Sequence, residues 1–177
     1  MRTLSFSLNQ IVIVNALNEL YTKEVEGAGN NPRILQYAYD LGAVYPSDDT
    51  AWCALFVNWA LWRSGCRYVK YNLLLARALN TLPQPVPEIG LQVGDVIVFH
   101  RGDPYGWQGH AGFFLNRNGD NLRILGGNQA NMVKVAEYPI DRFLCARRPT
   151  IADDVDTTVR MCTKCGTPFF RCNCDLV

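Results

Sequence analysis

Two residues in this chain have the types needed for nucleophilic chemistry together, a cysteine and a histidine. Cys53 lies in Asp48-Asp49-Thr50-Ala51-Trp52-Cys53-Ala54-Leu55-Phe56-Val57. The segment reads as the start of a helix, with Thr50 as N-cap, an apolar run from Ala51 to Trp62, and Gly65 at the C′ position. A sulfur in the first turn meets unpaired backbone N–H groups and the positive end of the helix dipole, which favour a thiolate over a thiol. Such a nucleophile still needs a base to generate it and to carry the proton onward. The sequence has two histidines. His110 stands in Trp107-Gln108-Gly109-His110-Ala111-Gly112-Phe113-Phe114, the opening of an expected strand. His100 ends an earlier strand beside Arg101 and Gly102 and reads as a surface or rim residue. Cysteine at a helix N-terminus with histidine on a later strand is a thiol-hydrolase arrangement. The plainer reading of a lone cysteine on an apolar helix is packing, because cysteine is among the most buried residue types.

The elements that must position these two residues follow from the pattern along the chain. Ile11 to Tyr21 reads as a helix with Leu17, Leu20 and Tyr21 inward, although the run Ile11-Val12-Ile13-Val14 also suits a strand. Asn31-Pro32 starts a second helix as N-cap and N1, and Gly42 closes it after Leu41. The Cys53 helix is third, and a shorter one runs from Leu73 to Leu79 with Asn72 as cap. The prolines Pro83, Pro85 and Pro87 end the helical half. Strands follow at Val96–Phe99, Ala111–Leu115, Leu122–Leu125, Met132–Val135 and Phe143–Ala146. Asn118-Gly119-Asp120 between two of them is a hairpin signal. Helices first and an antiparallel sheet after give an α+β domain over residues 1–148. An acidic linker, 149–160, leads to a cysteine-rich tail, 161–177.

Composition narrows the function classes. The chain of 177 residues is 49% hydrophobic and 19% charged, enough for one full core and against general disorder. A net charge of +1 supplies no basic field for nucleic acid. No apolar run approaches a membrane span. Asn9, Gln10 and Asn15 interrupt the first apolar stretch and no small-x-small site follows, so no signal peptide is expected.

Several of these segments resemble the NlpC-type and CHAP-type (papain-like) cysteine amidohydrolase/peptidase superfamily. They are Trp52-Cys53-Ala54-Leu55-Phe56-Val57, Gly94-Asp95-Val96-Ile97-Val98-Phe99 and Gly109-His110-Ala111-Gly112-Phe113. The resemblance is nearest to a phage- and bacteria-borne subgroup through Asn31-Pro32-Arg33-Ile34-Leu35, Trp107-Gln108-Gly109-His110 and Gly126-Gly127-Asn128-Gln129, and it covers about residues 8 to 148 in consistent order. It implies a papain-like fold and cleavage of an amide bond in bacterial peptidoglycan by a phage-derived lysin or tail-associated hydrolase. Synthesis in the bacterial cytoplasm and action at the cell wall follow from that, with no cofactor for catalysis. By the same resemblance Cys53 falls on the nucleophile, His110 on the general base and Asn128 on the residue that orients the imidazole, with Gln129 as runner-up. The alternative for Asn128 is a turn residue after the glycine pair. Trp52, Trp107, Tyr105 and Gln129 are candidates to bind substrate, and core or rim packing is an equal reading of the aromatics. Trp59 and Trp62 are expected in the core. Calcium is not expected, since Asp48 and Asp49 lack the alternating oxygen ligands of a calcium loop.

The tail carries Cys162, Cys165, Cys172 and Cys174, spaced C-x2-C-x6-C-x-C. So short a segment cannot bury a core of its own, so a staple is needed. A structural zinc is the first expectation, disulfides the second and an iron–sulfur cluster the third. A closed four-thiolate site would serve structure, or docking to a phage tail or other assembly protein. That leaves a second function class, a virion or assembly component that keeps a hydrolase-like fold as a scaffold.

Overall fold

The computed structural model describes residues 6–153. The first helix, α1 (Leu8–Leu17), opens on a capping box in which Gln10 N–H donates to Ser7 Oγ at 3.3 Å and Ser7 N–H donates to Gln10 Oε1 at 2.8 Å. This cap starts the helix earlier than the apolar run suggests. The helix also ends earlier, and Tyr21 lies outside it with φ 69° and an exposed ring. In α2 (Pro32–Asp40) the Asn31 side chain accepts from Arg33 N–H at 2.8 Å, with proline at N1 and Gly42 in the left-handed region beyond the end. The next helix, α3 (Cys53–Arg63), begins on Trp52 rather than Thr50 and has no side-chain cap. Its far end is a Schellman turn: Cys66 N–H donates to Leu61 O at 2.9 Å and Gly65 N–H to Trp62 O at 3.0 Å, with Gly65 at φ 69°. The short helix expected at Leu73–Leu79 is instead a 3-10 turn over Ala76–Thr81, and Asn72, at φ 57°, is a turn residue rather than a cap.

Six strands follow: β1 (Pro85–Val86), β2 (Val96–His100), β3 (Gly109–Asn118), β4 (Asn121–Gly126), β5 (Lys134–Pro139) and β6 (Phe143–Arg147). They form one sheet in the order β1-β6-β2-β3-β4-β5, with every neighbouring pair antiparallel. The β3–β4 hairpin closes through Gly119-Asp120, with Asn118 opposite Asn121. Alternation along the strands divides their side chains between two cores. Val96, Val98, Ala111, Phe113 and Leu125 join the core built around α3. Ile97, Phe99, Phe114, Leu122, Ile124 and Ala146 make a second core on the other side, with Tyr138 packed against it. Burial on both faces is why Val96-Ile97-Val98-Phe99 reads as a continuous apolar run. Among the described residues no helix is long and apolar enough to cross a membrane.

Two buried charges tie these parts together. Glu19 accepts both arms of Arg33, at 2.8 and 2.6 Å, and the Tyr37 hydroxyl at 2.8 Å. Arg33 in turn lies over the Trp59 ring at 4.8 Å, so α1, α2 and α3 meet around one carboxylate. Asp95 is fully buried and accepts from Arg148 Nε at 3.0 Å and Nη2 at 2.9 Å, from Gln92 N–H at 2.8 Å and from Asn9 Nδ2 at 3.0 Å. It therefore joins α1, the head of β2 and the chain after β6. Gly94 stands before it at φ 92°, where a Cβ would lie 2.7 Å from the Asn9 carbonyl oxygen. Removing the carboxylate leaves these donors facing an empty site. Asp95→Ala is expected to cost about 2–4 kcal/mol, read as a lower denaturation midpoint at unchanged slope. A change under about 0.5 kcal/mol would show that Asp95 does not hold the fold.

Candidate active site

Cys53 opens α3 and is 4% exposed. Its sulfur lies against the backbone N–H of Ala111, the residue after His110, and against the N–H groups of Cys53 and Ala54. His110 is fully buried near the start of β3, opposite Phe99 on β2. Its ring stacks on Tyr138 with centroids 4.9 Å apart and planes 15° apart, and Tyr138 stacks on Phe99 at 4.9 Å and 23°. The cysteine arrives from the helical side and the imidazole is held among the aromatics of the sheet's other core. Both adjoin the start of β3, the sulfur at Ala111 and the imidazole at His110.

The residue that the structure brings to the imidazole is Gln129, which is 3% exposed, with Oε1 3.3 Å from His110 Nε2. The Gln129 amide nitrogen donates to Gly126 O at 3.1 Å and to Lys134 O. Both N–H groups of the amide are thus engaged, and its oxygen can only accept. His110 Nε2 must therefore carry the proton, which leaves Nδ1 as the basic nitrogen. At Nδ1 stands Arg101, whose Nη2 donates at 3.3 Å. Asn128, expected to orient the imidazole, faces elsewhere. With its amide oxygen turned inward it accepts from Trp52 N–H at 3.2 Å and from the Trp52 indole N–H at 3.3 Å. Its φ of 53° is a turn conformation that asparagine tolerates.

The aromatics expected to bind substrate separate into two groups. Trp52 is fully buried, donates from its indole nitrogen to Glu24 Oε1 at 2.7 Å and sits against Gly127, so it wedges the head of α3 and lines no groove. Tyr105 and Trp107 are 96% and 73% exposed, on the connection 101–108 between β2 and β3. Arg77 holds that connection by donating to the carbonyls of Gln108 at 2.9 Å, Pro104 at 3.0 Å and Asp103 at 3.3 Å. The ring nitrogens of His100 lie 2.8 Å from Gly102 O and 3.3 Å from Asp141 O, an anchoring position beside the site. Trp59 is in the core, whereas Trp62 is 37% exposed. Sequence reasoning missed Arg101 and Tyr138. Arg101 follows β2 directly and Tyr138 shares a strand face with the second core, but only the folded register brings either to His110.

Burial sets the electrostatics. It pushes the Cys53 thiol up, against the backbone N–H groups and Arg101, which pull it down. It pushes His110 down to about 4, helped by the Arg101 charge and opposed by the hydrogen bond to Gln129. Both shifts favour the uncharged forms, a thiol and an imidazole. Burial thus opposes the thiolate expected from the helix N-terminus, because the sulfur is inside the protein rather than at a solvated helix end. Such a pair can run acyl transfer with imidazole as general base, the thiol proton moving as the sulfur attacks.

Cys162, Cys165, Cys172 and Cys174, the expected metal ligands, lie outside the described residues. Cys53, Cys66 and Cys145 are free thiols.

No protein-family model matches the sequence, and no curated protein matches it significantly. Among solved structures, the chain is similar to a protein of Staphylococcus aureus described as similar to lipoprotein, NLP/P60 family, with a TM-score of 0.50 and 17% identity over 86% of this chain. The match covers 46% of that protein, so the chain spans under half of its length. The likeness is one of fold: an α+β, NLP/P60-like arrangement.

The depressed imidazole makes stability depend on pH. An unfolded chain takes up the His110 proton near 6.5, and the folded protein resists it until about 4. Between those values the unfolded state binds more protons, so stability falls as pH falls through this window, by about 3 kcal/mol in all. Urea unfolding of the wild type should therefore lose more stability between neutral and mildly acidic pH than His110→Gln does. Equal slopes would mean that the imidazole is not held neutral.

Proposed function

We propose that this chain is a cysteine amidohydrolase that cleaves an amide bond in bacterial peptidoglycan, with Cys53 as nucleophile, His110 as general base and Gln129 orienting the imidazole. The observation that carries the reading is the fixed tautomer of His110. The Gln129 oxygen accepts a hydrogen bond from Nε2–H, which leaves Nδ1 as the basic nitrogen, while the Cys53 sulfur lies against the backbone N–H of Ala111, the next residue along β3. In this reading the thiol gives its proton to Nδ1 as sulfur attacks the carbonyl. Backbone N–H groups at the head of α3 hold the oxyanion. His110 then protonates the leaving amine and activates the water that hydrolyses the thioester. The NLP/P60-like fold supports the reaction class, and the resemblance of the Cys53, Gly94-Asp95 and His110 segments supports the substrate. The phage-borne setting, as lysin or tail-associated hydrolase, rests on that resemblance.

The test is zymography and fragment release on purified sacculi. Cys53→Ala and His110→Ala should release no soluble fragments while still unfolding cooperatively above the assay temperature, His110→Ala at a lower midpoint because it empties a buried ring site. Gln129→Ala should lose about 10- to 100-fold in rate, an orienting group being worth less than the group it orients. Asn128→Ala should lose less than Gln129→Ala, and His100→Ala should retain most activity. Lysis by a folded Cys53→Ala protein would overturn the mechanism. Intact sacculi after treatment with the wild type would favour the scaffold reading.

A further inference from the structure

Arg101 occupies the one nitrogen that the thiol proton needs. Its Nη2 donates to His110 Nδ1 at 3.3 Å, and its charge acts on both His110 and Cys53. The side chain comes from the surface, at the start of the connection 101–108, whose base is closed by Arg101 N–H donating to Gln108 O at 3.4 Å. Among the described residues no carboxylate pairs with this guanidinium. Asp103, in the same connection, is folded into its own turn, accepting Tyr105 N–H at 2.9 Å on its side chain.

A guanidinium stays charged and offers donors only, so it cannot share the Nδ1 lone pair with an incoming proton. Once His110 becomes an imidazolium, two cationic donors would face each other there. The guanidinium has to leave Nδ1 for the reaction to begin, and something must attract it more strongly than an imidazole lone pair does. A carboxylate does so, through two parallel charge-assisted hydrogen bonds. We infer that Arg101 docks a free carboxylate of the substrate, and that this docking releases His110 Nδ1 to take the Cys53 proton. The inference rests on the proposed roles of Cys53 and His110. It narrows the substrate to acyl compounds with a carboxylate close to the scissile amide, a group that peptidoglycan stem peptides carry.

Alkylation of Cys53 tests this without peptidoglycan. Iodoacetate and iodoacetamide both react by thiolate displacement of iodide, and only the first carries a carboxylate. Rates would be read at Cys53 by peptide mass spectrometry on the full chain, each normalised to the same reagent's rate with a free thiol. In the wild type the normalised acetate rate should exceed the amide rate by about tenfold, and Arg101→Met should abolish the preference. Arg101→Met should also react faster than wild type with the neutral reagent, because Nδ1 is then open. Arg101→Lys, which keeps the charge without the fork, should lie nearer to Met than to wild type. An unchanged preference in Arg101→Met overturns the inference. So does equal slowing with both reagents, which would make Arg101 only a stabiliser of the thiolate. A preference that behaves as expected in a protein that leaves sacculi intact would retain the carboxylate site and remove peptidoglycan as the substrate.

Discussion

The head of α3 touches the turn after β4 with nothing between them. A Cβ on Gly127 would lie 2.5 Å from the Trp52 ring and 2.7 Å from the Phe56 side chain. On the neighbouring strand, a Cβ on Gly112 would lie 2.9 Å from Ile124 and from the Leu125 carbonyl oxygen. Any side chain at Gly127 would push the helix off the sheet. This contact sets the distance between a cysteine that belongs to the helical core, a histidine on the sheet and a glutamine on the turn after β4. Each partner is fixed within its own core, so their alignment depends on how closely the cores approach. The polar anchors serve the same end, with Glu19 gathering the three helices and Asp95 pinning α1 to the sheet.

Two opposing effects act on the sulfur. A helix N-terminus supplies part of a positive charge and is worth about 0.3–1 kcal/mol near a surface. Removing a thiolate from water costs more than that, and at 4% exposure Cys53 has little water. Desolvation wins, and the same burial keeps the imidazole neutral. A buried ion pair would need its own solvating dipoles, and Gln129 offers the imidazole only one carbonyl oxygen.

The parts of this organisation that are local in sequence can be read from it. Asn31-Pro32 and Gly42 bracket α2, Gly65 ends α3, and Asn118-Gly119 marks the hairpin, because each acts through its own backbone. The separation of helices from strands, and the meeting of the Cys53 helix with the His110 strand, follow from the same signals. What failed depended on distant partners. Thr50 has the chemistry of an N-cap, but the loop before it is fixed by Asp48, which accepts from Asn31 N–H at 2.7 Å and Val25 N–H at 3.1 Å, and the helix then starts later. Asn128 and Gln129 are neighbours of similar chemistry. Which one points inward is decided by the twist of the turn and by the carbonyl of Lys134, and neither shows in composition.

That turn carries left-handed backbone at Asn128, Ala130 and Asn131, with φ of 53°, 50° and 62°. Asparagine accepts this conformation cheaply, whereas alanine costs about 1–2 kcal/mol. The cost is offset by segment 21–24, which lies along the turn like a short strand. Tyr21 N–H donates to Val133 O at 2.9 Å, Val133 N–H to Thr22 O at 2.8 Å, and Glu24 N–H to Asn131 O at 2.8 Å. Glu24 also holds the Trp52 indole, so one stretch of chain supports both the strained turn that presents Gln129 and the head of the helix that presents Cys53. Strain at such a place persists because the surrounding bonds over-determine it. The positions of the two sides of the site are therefore coupled through residues that touch neither the sulfur nor the imidazole.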